Sequence, residues 1–199
     1  VKVPVRSGKT ERPFSIEFAE TFPAALVNEW TAFMSVHCTG AQQDTIEFLE
    51  SVVAKWSLYD RKNRVARSSK ELLERVKREN NAEVLCVLTA SAQWYRGGAL
   101  AGFCQFRRTW CNNVVFDFLG IHPHVIGTRE ISGIGTALLI GLALIARDLN
   151  AGIVWAETTD TSISYYERIF NLPSRSDLLL LDAERFCDAL IPMVADRIE

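Results

Sequence analysis

Two short stretches near the middle of the chain carry residue types suited to a phosphate-bearing cofactor. Phe118-Leu119-Gly120-Ile121-His122-Pro123 reads as an apolar strand stopped by a proline, and some ten residues later Gly133-Ile134-Gly135-Thr136 opens a strongly apolar helix. Glycine lets a backbone approach a ligand without a Cβ in the way. The first amides of a helix have no partner inside it, and with the positive end of the helix dipole they favour bound phosphate. A dinucleotide site of the Gly-x-Gly-x-x-Gly type is excluded, because Leu138 stands where the third glycine is needed.

The elements that must hold these residues follow from periodicity. Phe14 to Phe18 alternates like a strand. Phe22, Leu26, Trp30 and Phe33, then Ile46, Leu49, Val53 and Trp56, recur at helical spacing, and Ser68 with Glu71 matches a capping box for a third helix. Residues 1–13, polar and proline-punctuated, read as a flexible arm, and residues 14–81 as a mainly helical region. From Glu83 the texture changes. Residues 83–89, 100–107 and 114–121 read as a meander of three strands, followed by a buried helix over 135–149. Strand 152–158, helix 162–169, strand 177–181 and a helix capped by Asp182 complete the chain. The order predicts one α/β (α+β) domain over 14–199 with a mostly antiparallel sheet flanked by helices and a helical N-terminal third.

Composition narrows the function classes. Apolar residues make up 48% of 199, and 22 basic against 24 acidic side chains give a net charge of −2, which argues against nucleic acid or an anionic membrane as the main partner. The five cysteines are scattered without metal-type spacing, which suits a reducing, cytoplasmic setting rather than a disulfide framework. The longest apolar run, Ile134 to Ala146, is too short to span a bilayer. No signal-like start is seen.

In this order, the motifs resemble the GNAT superfamily of acyl-CoA-dependent N-acyltransferases over about residues 83–182. Leu119-Gly120-Ile121-His122-Pro123 fills the place of the family's strand ending in proline, and Gly133-Ile134-Gly135 that of its Arg/Gln-x-x-Gly-x-Gly/Ala loop. Ser164-Tyr165-Tyr166-Glu167-Arg168 looks like the end of its later Tyr-Glu-Lys segment. The chain departs from the family at Glu130, where Arg or Gln is preferred and Arg129 lies one residue off. It departs again at Thr159 in place of Asn and at Ser162 in place of Ala.

The resemblance implies acetyl-CoA as acyl donor and an amine as acceptor, with room for a homodimer. It implies that the backbone of Leu119, Gly120 and Ile121 pairs with the pantetheine arm. Arg129, Ser132, Gly133, Ile134, Gly135 and Thr136 would surround the diphosphate, and Tyr166 would donate a proton to the leaving sulfur. Tyr165 is expected to pack. For the base, Asp117 shares a strand face by period two with Val115, Leu119 and Ile121, and Glu157 sits late in the next strand. Histidine is a common base near neutral pH, so His122 and His124 are further candidates, but both flank a proline in a loop. Trp94 and Tyr95 suit an acceptor pocket, a partner surface or a loop anchor. The rival expectation is a catalytically silent acyl-CoA-binding sensor or interaction module, and a third is a partner domain that binds no CoA.

Overall fold

The structure is a computed structural model that describes residues 1–34, 40–59, 65–96, 98–128, 130–172 and 177–194. Its first elements are strands: β1 (Lys2–Ser7) and β2 (Thr10–Phe18) form a hairpin. The flexible arm and the helical N-terminal third are thereby corrected. Val3, Val5, Phe14 and Ile16 all point into the core, so the alternation that identifies a strand is present. It is masked by two prolines. Pro4 and Pro13 stand opposite each other, and since neither can donate, the pair sits at a non-hydrogen-bonded position of the ladder. There the proline nitrogens face outward, and neither neighbouring strand reaches them: β6 (Ile131–Ser132) pairs β1 only at Arg6 and Ser7, and β3 (Val84–Ser91) pairs β2 only from Ser15 onward.

Helices α1 (Ala24–Met34), α2 (Gly40–Tyr59) and α3 (Ser69–Arg78) follow, and the Ser68 side chain accepts from the Glu71 amide as the capping box requires. Among the described side chains of α1 the inward residues are Val27 and Trp30, whereas Leu26 is exposed; the side chain of Phe33 lies outside the described residues. The meander continues through β4 (Leu100–Arg108) and β5 (Val114–Ile121). After the short α4 (Pro123–Thr128) and β6 come α5 (Ile134–Asp148), β7 (Ile153–Glu157), α6 (Asp160–Phe170), β8 (Leu178–Asp182) and α7 (Ala183–Leu190).

The sheet order is β6-β1-β2-β3-β4-β5-β7-β8, antiparallel everywhere except between β5 and β7. Strand alternation divides the core into two layers. On one face Val84, Cys86, Leu88, Cys104, Phe106, Val114 and Phe116 pack against α5 and α7. On the other, Leu85, Val87, Phe103 and Phe118 pack against Phe22, Val27 and Trp30 of the α1 side and Leu49, Val52 and Trp56 of α2. Helix α5 is apolar on most of its surface because it lies across five strands. It comes so close that a Cβ on Gly141 would meet Ile16 Cγ2 at 2.7 Å. Cys86, Cys104 and Cys187 are buried free thiols, and Cys111 is exposed; Cys38 lies outside the described residues. No helix among the described residues is long and apolar enough to cross a membrane.

Candidate functional site

Strands β5 and β7 are paired only at Val114–Val154 and Val115–Trp155. Beyond that point they splay, and a cavity of about 650 Å³ opens between them, walled by Phe116 to Ile121, by Glu157, Thr159, Ser162 and Tyr166, and by Asp44, Thr45 and Phe48 of α2. The β5 backbone bordering it is half-used. His122 N–H donates to Ala101 and Gly102 pairs Ile121, so the ladder bonds to β4 fall at Gly120 and His122. The N–H and C=O of Leu119 and Ile121 therefore face the open side. Gly120 turns its polar groups the other way, toward β4. Its glycine is explained by packing, since a Cβ there would overlap the ring of Phe103.

The start of α5 adjoins this edge: the Cβ position of Gly135 is 3.8 Å from Leu119 Cδ2. Gly133, the N-cap, has φ +96°, a left-handed conformation that favours glycine. Ala137 N–H donates to Gly133 O, which leaves the amides of Ile134, Gly135 and Thr136 as the orphans of the first turn. Ser132 is exposed in β6, held by Arg6 of β1, while Gly8 N–H donates to Glu130 O at 2.8 Å. Glu130 is exposed, so its carboxylate is solvated; Arg129 lies outside the described residues. One side chain enters the mouth of the helix. The Tyr165 phenol stands 3.1 Å from Thr136 Oγ1, and burial pushes it up to about 12, with the Thr136 hydrogen bond and Arg168 pulling the other way.

Tyr166, Asp117 and Glu157, proposed from sequence as the reacting side chains, all border the one cavity. Tyr166 is 5% exposed, packed by Phe116 and Phe170. Burial, with smaller contributions from Tyr165 and Cys104, raises its phenol above the ordinary value, so it stays protonated. Glu157 is exposed at the end of β7. Thr159, in the place of the family's Asn, is committed to the N-cap of α6: its N–H donates to Ser162 Oγ at 2.9 Å.

Asp117 does not share a face with Leu119 and Ile121. Gln105 pairs Phe118 and Phe106 pairs Phe116, so Asp117 is the extra residue of a β-bulge. Period two breaks there. Leu119 and Ile121 pack on the α5 face, whereas Phe118 packs on the α2 face. Asp117 instead meets Arg107 of β4, whose Nε lies 3.2 and 3.0 Å from the two carboxylate oxygens and whose Nη1 reaches Glu83 at 2.6 Å. Burial raises the Asp117 carboxyl above its ordinary value, opposed first by the Arg107 hydrogen bond and charge, then by Lys55.

His122 is not a base of this site. It is buried against Trp30 and Tyr95, and neither it nor His124 borders the cavity. Its Nδ1 accepts from His124 N–H at 3.1 Å, and its Nε2 stands 3.2 Å from an Arg96 guanidinium nitrogen. Burial, then the charges of Arg96 and His124, push it down to about 4. Trp94 and Tyr95 are loop anchors: Trp94 Nε1 donates to Pro13 O at 2.8 Å, and both rings pack on Phe14. Arg107 and Asp44 are the neighbours that sequence reasoning missed. Arg107 is recognisable only once the bulge has set its partner, and Asp44 only once α2 is laid beside β5.

No protein-family model matches the chain, and no curated protein does. Among solved structures it is similar to a nourseothricin acetyltransferase (25% identity, 42% of this chain and 48% of that one, TM-score 0.36). The matched stretch thus spans about half the length of that protein. It is also similar to the PaiA N-acetyltransferase of Thermoplasma acidophilum, solved with coenzyme A (15% identity, 83% and 96%, TM-score 0.43). A third likeness is to an acetyltransferase of the GNAT family from Staphylococcus aureus Mu50 (11% identity, 85% and 99%, TM-score 0.44). The sheet order, with its single parallel pair and the splay beside it, makes a mixed α/β fold of the kind that the sequence resemblance to the GNAT superfamily implies.

Proposed function

We propose that the chain is an N-acetyltransferase that moves an acetyl group from acetyl-CoA to a primary amine of a small molecule or peptide by direct attack. The observation that carries this reading is the splay after Val115–Trp155, which leaves Leu119 and Ile121 with outward polar backbone beside the free amides of α5. An extended amide-bearing arm can add to that edge like a strand. Its diphosphate then falls against Gly133 to Thr136, with Glu130 turned to solvent.

In the reaction the amine nitrogen bonds to the thioester carbon and the carbon–sulfur bond breaks. Asp117 or Glu157 takes the ammonium proton, directly or through water, so that the nitrogen can attack. An outward amide of Leu119 or Ile121 would face the thioester oxygen as its charge develops. Tyr166, kept protonated by burial, donates a hydrogen bond or its proton to the departing sulfur, and the second proton, which leaves the nitrogen as the amide forms, ends on the thiol, directly or by restoring the tyrosine.

Amine-dependent release of thiol from acetyl-CoA, measured across a panel of primary amines, tests the reading; coenzyme A is expected to raise the melting temperature as well. Neither effect appearing would overturn it. One observation favours a second reading, a silent acyl-CoA-binding module: the Tyr165 phenol narrows the mouth of α5 at Thr136. Coenzyme A binding with no thiol release from any amine selects that module.

A further inference from the structure

Two consecutive tyrosines of α6 go different ways. Side chains one residue apart on a helix diverge by about 100°. Here Tyr166 borders the cavity beside β5, while Tyr165 points to the start of α5. The Tyr165 hydroxyl stands 3.1 Å from Thr136 Oγ1, and this is the one hydrogen bond that joins α6 to α5 among the described residues. The fit around it is close: a Cβ on Gly135 would lie 3.2 Å from the phenol oxygen. The two tyrosine rings meet edge to face, with centroids 5.2 Å apart and planes at 66°.

The consequence concerns alignment, and it rests on the acetyl-transfer reading. In that reading the thioester carrier is held by β5 and the first turn of α5, whereas the proton donor to sulfur comes from α6. Groups that meet one bound molecule from separate elements must keep register, because a misplacement of about 1 Å can cost about 10²-fold in rate. The sheet does not supply that register. Strand β7, which leads into α6, has already parted from β5 after Val115–Trp155. The Tyr165–Thr136 bond crosses the gap instead, from the same turn of α5 whose amides are free.

We infer that Tyr165 is a positioning residue, which through its hydrogen bond with Thr136 and its ring contact with Tyr166 holds the Tyr166 hydroxyl in line with the sulfur of the bound thioester. Tyr165 touches none of the reacting atoms itself. Burial keeps its phenol neutral, so the bond persists across the pH range of the reaction.

The experiment measures thiol release from acetyl-CoA, with an amine that the wild type accepts, in variants that each delete one partner and keep its bulk. Tyr165→Phe and Thr136→Val are each expected to lower kcat at least about fivefold, the worth of one hydrogen bond, while Tyr165→Phe leaves the coenzyme A Kd within about twofold. The double variant should be no slower than the slower single one, because both changes remove the same bond. Placed on Tyr166→Phe, Tyr165→Phe should cost nothing further; a tyrosine that merely packs would slow both backgrounds by the same factor. Equal losses in the two backgrounds, additive losses in the double variant, or an unchanged kcat in Tyr165→Phe each overturn the inference. If the wild type releases no thiol with any amine, acetyl transfer is what fails, and hydrogen exchange reads the link without turnover. Coenzyme A should then slow exchange of the α6 amides in the wild type and no longer do so in Tyr165→Phe. Slowing that persists in Tyr165→Phe refutes the link by itself, and coenzyme A failing to bind at all removes both readings.

Discussion

Arg107 and Asp117 meet across the one irregular step of the β4–β5 ladder, where the guanidinium Nε sits within 3.2 Å of both carboxylate oxygens. A regular ladder would have set Asp117 directly against a β4 residue. The bulge instead gives it a partner and an opening onto the cavity at once.

Removing that partner should shift the pH response. The Asp117 carboxyl is raised by burial and restrained by Arg107. A base must be ionised, so kcat/KM is expected to rise with pH through a value above the ordinary carboxylate range, and Arg107→Met should move the inflection higher still. Stability runs the opposite way. With the folded value above the unfolded one, Asp117's contribution is full below the unfolded value and is lost as pH rises through the folded one. At neutral pH, Arg107→Met should cost about 1–2 kcal/mol, since the pair is only partly shielded from solvent. Denaturant titrations across pH, alongside initial rates, check both.

Tyr166→Phe deletes one hydroxyl and leaves the packing on Phe116 and Phe170 intact. Under the proposed mechanism kcat should fall by about 10²-fold or more. Coenzyme A affinity should hold, because under that mechanism the hydroxyl would face the sulfur rather than the diphosphate. A kcat within twofold of wild type would remove Tyr166 from the chemistry.

Two glycines of the site should fail for different reasons. Gly120→Ala drives a methyl group into Phe103 and is expected to cost about 1–3 kcal/mol by overpacking. Gly133→Ala meets nothing closer than Val5 Cβ at 4.0 Å, yet forces alanine into a left-handed φ of +96°, a strain of about 1–2 kcal/mol. The second substitution should weaken coenzyme A binding more than the first at equal loss of stability, read by thermal melts with and without ligand.

Gln105 offers a stabilising change. It is fully buried between Val87 and Phe118, and both its amide oxygen and its nitrogen lack a partner. Gln105→Met keeps the volume and removes two unpaired polar atoms. The expected gain is about 1–2 kcal/mol, seen as a higher denaturant midpoint with unchanged slope.

Much of this was legible in the residues. The meander, α5 and the last strand–helix pair carry long apolar runs that mark them in the sequence, and the strand predicted over 114–121 coincides with β5. Helix α3 begins where Ser68 and Glu71 said it would. Strand β1 was obscured because Pro4 is tolerated only through its placement opposite Pro13, a long-range fact that local propensity does not contain. The bulge at Asp117 was equally hidden: alternation read residue by residue assigns its side chain to Leu119's face, and only pairing with β4 reveals the shift. The gathering of Tyr166, Asp117 and Glu157 followed once the strands were ordered. The placement of Asp44 at the cavity depended on a helix whose position no motif encodes.

The clasp of β6 by β1 ties the turn ahead of α5 to the amino-terminal hairpin: Arg6 and Ser7 pair with Ser132 and Ile131, and Gly8 N–H donates to Glu130 O. Trimming the first eight residues would therefore do more than shorten the sheet, because it would untether the stretch that leads into Gly133.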